Sequence, residues 1–142
     1  RRGPQWTNIE EEKYLSRHDL TGRTVLVDCI TLWATNFFFD RSRQPDTSSS
    51  HPSDTVESLQ ARQGIRQVEE TLQAVKDEFL RLTAQDATFI FVTNEIGMGG
   101  VSANDVQRRF SDLLGWTNQF VASQADEVYL MVSGIPVKIK QT

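Results

Sequence analysis

One stretch constrains the fold more than any other: Val25-Leu26-Val27-Asp28-Cys29-Ile30-Thr31-Leu32-Trp33. It is an apolar run broken once, by a carboxylate. Thr21-Gly22-Arg23 ahead of it signals a turn. A short apolar run bounded in this way predicts a strand over Thr24 to Cys29, buried on both faces as in a parallel sheet. Apolar residues continue through Leu32, Trp33, Phe37, Phe38 and Phe39 without alternation, which predicts a helix packed close to the strand. A lone ion costs too much to bury without a partner, so Asp28 requires a reason. Open α/β sheets bind ligands at the carboxyl ends of their strands. Two readings are open at this point. Asp28 holds Mg²⁺, directly or through water, at a nucleotide site, or it caps the next helix from its first turn.

The rest of the chain supplies the other elements of an α/β pattern. Arg1 to Glu12 has no period and predicts loop, with a short strand at Trp6–Ile9; Tyr14 to Leu20 predicts a helical turn. Asp40 to Asp54 is rich in Ser and Pro and predicts a mobile loop within one domain spanning residues 1–142. Asp54, with Glu57 three residues on, predicts an N-cap. Ile65, Val68, Leu72, Val75, Phe79 and Leu82 then recur at steps of three and four, giving a long helix with one apolar stripe, expected to pack onto a sheet. Thr88–Val92 predicts a second buried strand. It ends in Thr93-Asn94-Glu95-Ile96-Gly97-Met98-Gly99-Gly100, whose glycines allow positive φ and close backbone approach to a ligand. Ser102, with Asp105 three on, predicts the N-cap of a helix to about Ser123 with Val106, Phe110, Leu113, Leu114, Thr117, Phe120 and Val121 inward. Arg108-Arg109 in its first half is either a solvated pair or a phosphate or subunit contact, and Asn118-Gln119 falls on its polar face. Glu127–Val132 and Val137–Lys140 predict an antiparallel edge hairpin, with Lys138 and Lys140 discouraging edge association. Two strands ending in polar groups on one edge reinforce each other as a site.

Composition narrows the partners. Fifteen basic against nineteen acidic residues give a net charge of −4, which disfavours a general nucleic-acid binder. Cys29 stands alone, so no internal disulfide forms; it is expected to be an inert core thiol in a reducing, cytoplasmic setting. No apolar run approaches the roughly 20 residues that span a bilayer. His18, between Arg17 and Asp19, and His51, before Pro52, are expected at the surface rather than at a catalytic centre.

Several blocks in order carry a resemblance: Val25-Leu-Val-Asp-Cys-Ile-Thr-Leu-Trp33, Thr35-Asn36, Val92-Thr-Asn-Glu-Ile-Gly-Met-Gly99, Arg108-Arg-Phe-Ser-Asp-Leu-Leu-Gly115 with Asn118-Gln119, and Ala125-Asp-Glu-Val-Tyr-Leu-Met-Val-Ser-Gly-Ile-Pro136. Together they resemble the bifunctional adenosylcobinamide kinase / adenosylcobinamide-phosphate guanylyltransferase family of cobalamin assembly. The resemblance implies a P-loop, RecA-like fold, a mostly parallel sheet flanked by helices with an antiparallel C-terminal edge hairpin, and a homotrimer. It implies phosphorylation of adenosylcobinamide, then GMP transfer from GTP to its phosphate through a guanylylated histidine, with GTP and ATP as substrates and Mg²⁺ as cofactor. It places Arg1, Arg2, Glu10 and Asp28 at the nucleotide, Asp28 on the metal, and Asn94 and Glu95 in the pocket lining. The Gly-rich phosphate loop with its lysine and the nucleophilic histidine do not occur in these residues; the histidine is expected just upstream of Arg1, this chain being the C-terminal part of a longer enzyme. Two other classes remain open on the residues alone: a non-catalytic interaction module using the Ile65–Leu82 stripe, and a fragment of another P-loop-type ATPase.

Overall fold

The computed structural model describes residues 3–40 and 55–141. After a single 3₁₀ turn at Leu15–Arg17 come β1 (Thr24–Asp28), α1 (Ile30–Phe38), α2 (Val56–Thr83), β2 (Thr88–Val92), α3 (Asp105–Gln124), β3 (Glu127–Val132) and β4 (Ile135–Gln141). The predicted order of elements is met. The predicted strand at Trp6–Ile9 is not: those residues are irregular, and the Trp6 amide donates to the Gly3 carbonyl across a turn containing Pro4.

Three helices make the core. Ile30, Trp33 and Phe37 of α1, Val75 and Phe79 of α2, and Leu114 and Val121 of α3 form one buried cluster. Phe38, Val68 and Leu113 extend it. Each helix thus buries one stripe at helical spacing, the source of most helical stability in water. The stripe on α2 differs from expectation at its start. Ile65 is 60% exposed, and Gly64 is buried in its place. Arg109 of α3 packs where a Gly64 Cβ would stand, so the first turns of α2 meet α3 through glycine rather than isoleucine. The stripe faces α1 and α3 along most of its length and reaches the sheet only near its end, where Leu82 joins Leu20 and Val27. Glu78, buried in that stripe, is satisfied on both oxygens: Oε1 accepts from the Ser16 amide at 2.8 Å, and Oε2 from Arg81 Nε and Nη2 at 3.2 and 3.1 Å. Val106, expected inward, is exposed, as are Leu32 and Phe39 of the apolar run after β1.

β1 and β2 are parallel and in register from Thr24↔Thr88 to Asp28↔Val92. Burial on both faces was expected, but only Val27 of β1 is buried. Val25, Phe89 and Phe91 lie against the Leu20–Val27–Leu82 cluster, while Ile90 and Val92 alternate with Phe89 and Phe91 and stay exposed. Among the described residues one face of this pair is covered and the other is not. β3 and β4 form a separate antiparallel pair with a bulge at Val128/Tyr129, not a continuation of the β1–β2 sheet as predicted. Their turn uses positive φ at Ser133 and Gly134. Lys138 and Lys140 are engaged rather than free edge charges: Lys138 Nζ pairs with Glu127 at 2.6 Å, and Lys140 Nζ donates to the Ala122 and Ser123 carbonyls. The latter ties the hairpin to the C-terminal end of α3, where unpaired carbonyls favour a cation.

The caps shift by one or two residues. Thr55 caps α2, its side chain accepting from the Ser58 amide, while Asp54 lies outside the described residues. Asn104, not Ser102, caps α3, accepting from the Val106 and Gln107 amides. The Ser102 hydroxyl accepts instead from the Asn104 amide.

Candidate functional site

Asp28 closes β1 and stands opposite Val92, the last residue of β2. Thr93, Asn94 and Glu95 follow directly, so the parallel register brings Asp28 and the Asn94-Glu95 pair to one edge. Asp28 is exposed there, so the burial that made it anomalous does not occur. Nor is Asp28 the N-cap of α1: that position is Cys29, in extended conformation. Cys29 is therefore outside the strand, and half-buried, rather than a core thiol. The capping reading of Asp28 is set aside, and an exposed carboxylate at a strand's carboxyl end remains.

Polar side chains from three elements meet on that edge. Thr93 Oγ1 donates to Asn118 Oδ1 of α3 at 2.7 Å, and Asn118 Nδ2 donates to the Asn94 carbonyl at 3.0 Å. The Asn94 amide and its side-chain Nδ2 both donate to Thr31 Oγ1, in the first turn of α1, at 3.3 and 3.1 Å. Sequence reasoning placed Asn118 on a polar face but did not connect it to β2, and missed Thr31 and Thr93; the signal was their position, one just after Asp28 and one just after β2.

The glycine-rich segment after Glu95 turns without positive φ, which among the described glycines occurs only at Gly22 and Gly134. Gly97 serves close approach instead, while Gly100 stands in open space. Glu95 Oε1 accepts from the Gly97 amide at 2.8 Å, and a Cβ on Gly97 would lie 2.9 Å from that oxygen. Arg108 and Arg109 are engaged at the start of α3. Arg108 pairs with Asp105, and Arg109 Nε donates to the Asp105 carbonyl at 3.3 Å.

Arg1 and Arg2 lie outside the described residues, as does His51. Glu10 is exposed. The segment that follows it is held at several points: Trp33 Nε1 donates to the Lys13 carbonyl at 2.7 Å, Asn36 Nδ2 to the Glu12 carbonyl at 2.9 Å, and Lys13 Nζ pairs with Asp40 at 2.6 Å. His18 Nε2 is 3.8 Å from Glu11 Oε2, half-exposed as expected. Glu11 Oε1 accepts from the Lys13 and Tyr14 amides, and these two bonds hold its carboxyl below its ordinary pKa. A depressed carboxylate contributes stability above its unfolded pKa and loses it as pH falls through the folded value. Glu11→Gln is therefore expected to be less stable than the parent at neutral pH, with the gap closing on acidification below the ordinary glutamate range. Thermal melts from pH 7 to pH 3 check this; a gap that stays constant would show that the carboxylate charge contributes nothing.

A profile of the family described as cobinamide kinase / cobinamide phosphate guanyltransferase matches residues 1–139. Three curated proteins are similar to the chain. The bifunctional adenosylcobalamin biosynthesis protein CobU of Escherichia coli (strain K12) is 34% identical over 147 aligned residues, covering 98% of this chain and 72% of that protein. The protein of the same name from Salmonella typhimurium is 38% identical over 120 residues, covering 82% and 58%. The bifunctional adenosylcobalamin biosynthesis protein CobP of Pseudomonas aeruginosa is 28% identical over 145 residues, covering 99% and 69%. The chain thus spans between about three-fifths and three-quarters of the lengths of these relatives.

Proposed function

The chain belongs to the cobinamide kinase / cobinamide phosphate guanyltransferase family, and from that premise we propose that it forms part of the nucleotide site of an enzyme running both reactions. In the first, the hydroxyl oxygen of adenosylcobinamide attacks the γ-phosphorus of ATP or GTP, the bond to the β-phosphate oxygen breaks, the nucleoside diphosphate leaves, and the hydroxyl proton is lost. In the second, a histidine nitrogen attacks the α-phosphorus of GTP and expels pyrophosphate. The phosphate oxygen of adenosylcobinamide phosphate then takes the GMP and frees the histidine. Such transfers depend on positioning and charge neutralisation more than on bond-making by the protein.

The observation that carries this reading is the parallel register setting Asp28 beside Thr93-Asn94-Glu95 at the carboxyl edge of β1 and β2, where α/β sheets bind ligands. Mg²⁺ takes one or two carboxylates and completes its shell with phosphate oxygens and water. A single exposed carboxylate fits that demand, and among the described residues no group of three or more His, Cys, Asp or Glu forms a cage that would compete. When bound, the ion would neutralise phosphate charge; Asp28 would hold it, and Asn94 and Glu95 would line the pocket. Arg1, Arg2 and Glu10 complete the proposed guanine-nucleotide contacts, the arginines as bidentate phosphate clamps. Glu10, itself an anion, would act on the base, the ribose or an arginine. A P-loop, RecA-like sheet, a homotrimer and a cytoplasmic setting belong to the same proposal. The parallel β1–β2 pair with helical crossovers supports the first. Among the described residues no helix is long and apolar enough to cross a membrane.

The test uses the complete protein with GTP labelled at the α-phosphate. A protein-bound label that survives denaturation, and moves to adenosylcobinamide phosphate on its addition, is the expected result. Labelling that never forms, together with no γ-phosphate transfer to adenosylcobinamide from either nucleotide, would sink the reading.

A further inference from the structure

Resting on that functional reading, we propose that Thr31 and Asn118 are positioning residues: they fix the Thr93–Glu95 segment against Asp28 and thereby set how tightly the site holds its nucleotide. Asn118 spends both ends of its amide on consecutive residues of that segment, its Oδ1 accepting from the Thr93 hydroxyl and its Nδ2 donating to the Asn94 carbonyl. Thr31 accepts from the main-chain amide and from the side-chain Nδ2 of Asn94 on one oxygen. Asn94 is thus tied from two helices at once, α1 and α3, which are themselves locked together in the core through Ile30, Trp33, Leu114 and Val121. With the main-chain N–H and one Nδ2 hydrogen used on Thr31, the Asn94 side-chain Oδ1 accepts no hydrogen bond among the described residues. It is an acceptor of fixed direction for an N–H or O–H of the ligand, such as a base edge or a ribose hydroxyl.

A role in stability alone fits these bonds poorly. Thr93 and Asn94 are exposed, and a hydrogen bond between solvent-accessible groups adds little to folding, because water replaces either partner when it is lost. The neighbouring Thr117, fully buried, bonds only within its own helix, to the Leu113 carbonyl. The Thr31–Asn94–Asn118 set instead bridges elements 24 and 63 residues apart at the strand edge that carries Asp28. A misplacement of about 1 Å at such a site costs on the order of a hundredfold, so tethers with little effect on folding can matter greatly here.

The complete protein carries the experiment, with Thr31→Val, Thr31→Ser and Asn118→Ala. Thr31→Val and Asn118→Ala are expected to raise KM for the nucleotide about tenfold or more, with kcat changing less and Tm moving by no more than about 2 °C. Thr31→Ser keeps the hydroxyl and should restore the parent KM. Independently of activity, amide exchange at Asn94 without substrate should quicken about tenfold in Thr31→Val. Parent-like KM and parent-like Asn94 exchange in both disruptive variants would overturn the proposal. So would losses that follow Tm and are not rescued by serine. Faster Asn94 exchange in Thr31→Val, with a parent that catalyses neither transfer, would keep the tether and remove the functional reading, so the two failures are distinguishable.

Discussion

Asp28→Asn is expected to cut nucleotide-dependent transfer in the complete protein about a hundredfold while leaving stability within about 0.5 kcal/mol. The first figure follows from chemistry. Removing one preorganised electrostatic stabiliser at a reacting centre costs about 10²- to 10³-fold in kcat, and asparagine keeps the shape of the carboxylate while losing the charge that a phosphate-bound cation would meet. The second follows from structure. Asp28 is exposed at the end of β1, does not occupy the capping position of α1, and lies outside the three buried clusters; surface replacements of that kind usually stay within about 0.5 kcal/mol. Initial rates of both transfers against Mg²⁺ concentration, together with a urea titration, read the two figures separately. Parent rates with a parent metal dependence would remove Asp28 from the site. A fall in rate matched by a fall in stability would make it a structural residue instead.

The elements were legible in the chain where local periodicity speaks, and the contacts between them were not. The steps of three and four from Val68 to Leu82 come from one face of a helix, so α2 is readable without its neighbours. Which residues of that helix are deepest depends on what lies opposite. Ile65 looked like part of the stripe, yet the close approach of α3 at Gly64 turned it outward. Glu78, a carboxylate within that helix, is 1% exposed, because the Ser16 amide, 62 residues away in sequence, and Arg81 one turn on supply its partners. The double-sided burial expected of β1 failed for the same reason, since a run of apolar residues does not state how many strands and layers flank it. The caps slipped because Ser, Asn, Thr and Asp all compete for a helix start, and only backbone geometry chooses among them. At the site, Asp28 and Asn94-Glu95 stood out as polar residues ending apolar strands. Thr31 and Asn118 did not, because their meaning lies in whom they touch.

Phe79→Ala is expected to destabilise the domain by about 3–5 kcal/mol, a large share of the roughly 5–15 kcal/mol that holds such domains folded. Phe79 is 3% exposed and sits where α2 meets both the sheet and α3. Its ring lies 5.0 Å from that of Phe91 on β2 and 5.4 Å from that of Phe120 on α3, tilted to the first and edge-on to the second. Alanine would remove the ring's buried area, leave a cavity between three elements that cannot all close on it, and forfeit two aromatic contacts worth about 0.5–1.5 kcal/mol each. Ile65→Ala is the internal control, because the apolar periodicity of α2 ranks the two positions alike. At 60% exposure Ile65 has little burial to lose, and its replacement should cost less than about 1 kcal/mol. Urea unfolding of both variants at one pH decides between them. If Ile65→Ala cost as much as Phe79→Ala, the α2 stripe would have to be rotated toward Ile65, and the close contact of α3 with Gly64 would be wrong. If the order holds, the core is centred where α2 crosses β2 and α3, directly beneath the strand ends that carry Asp28 and Asn94.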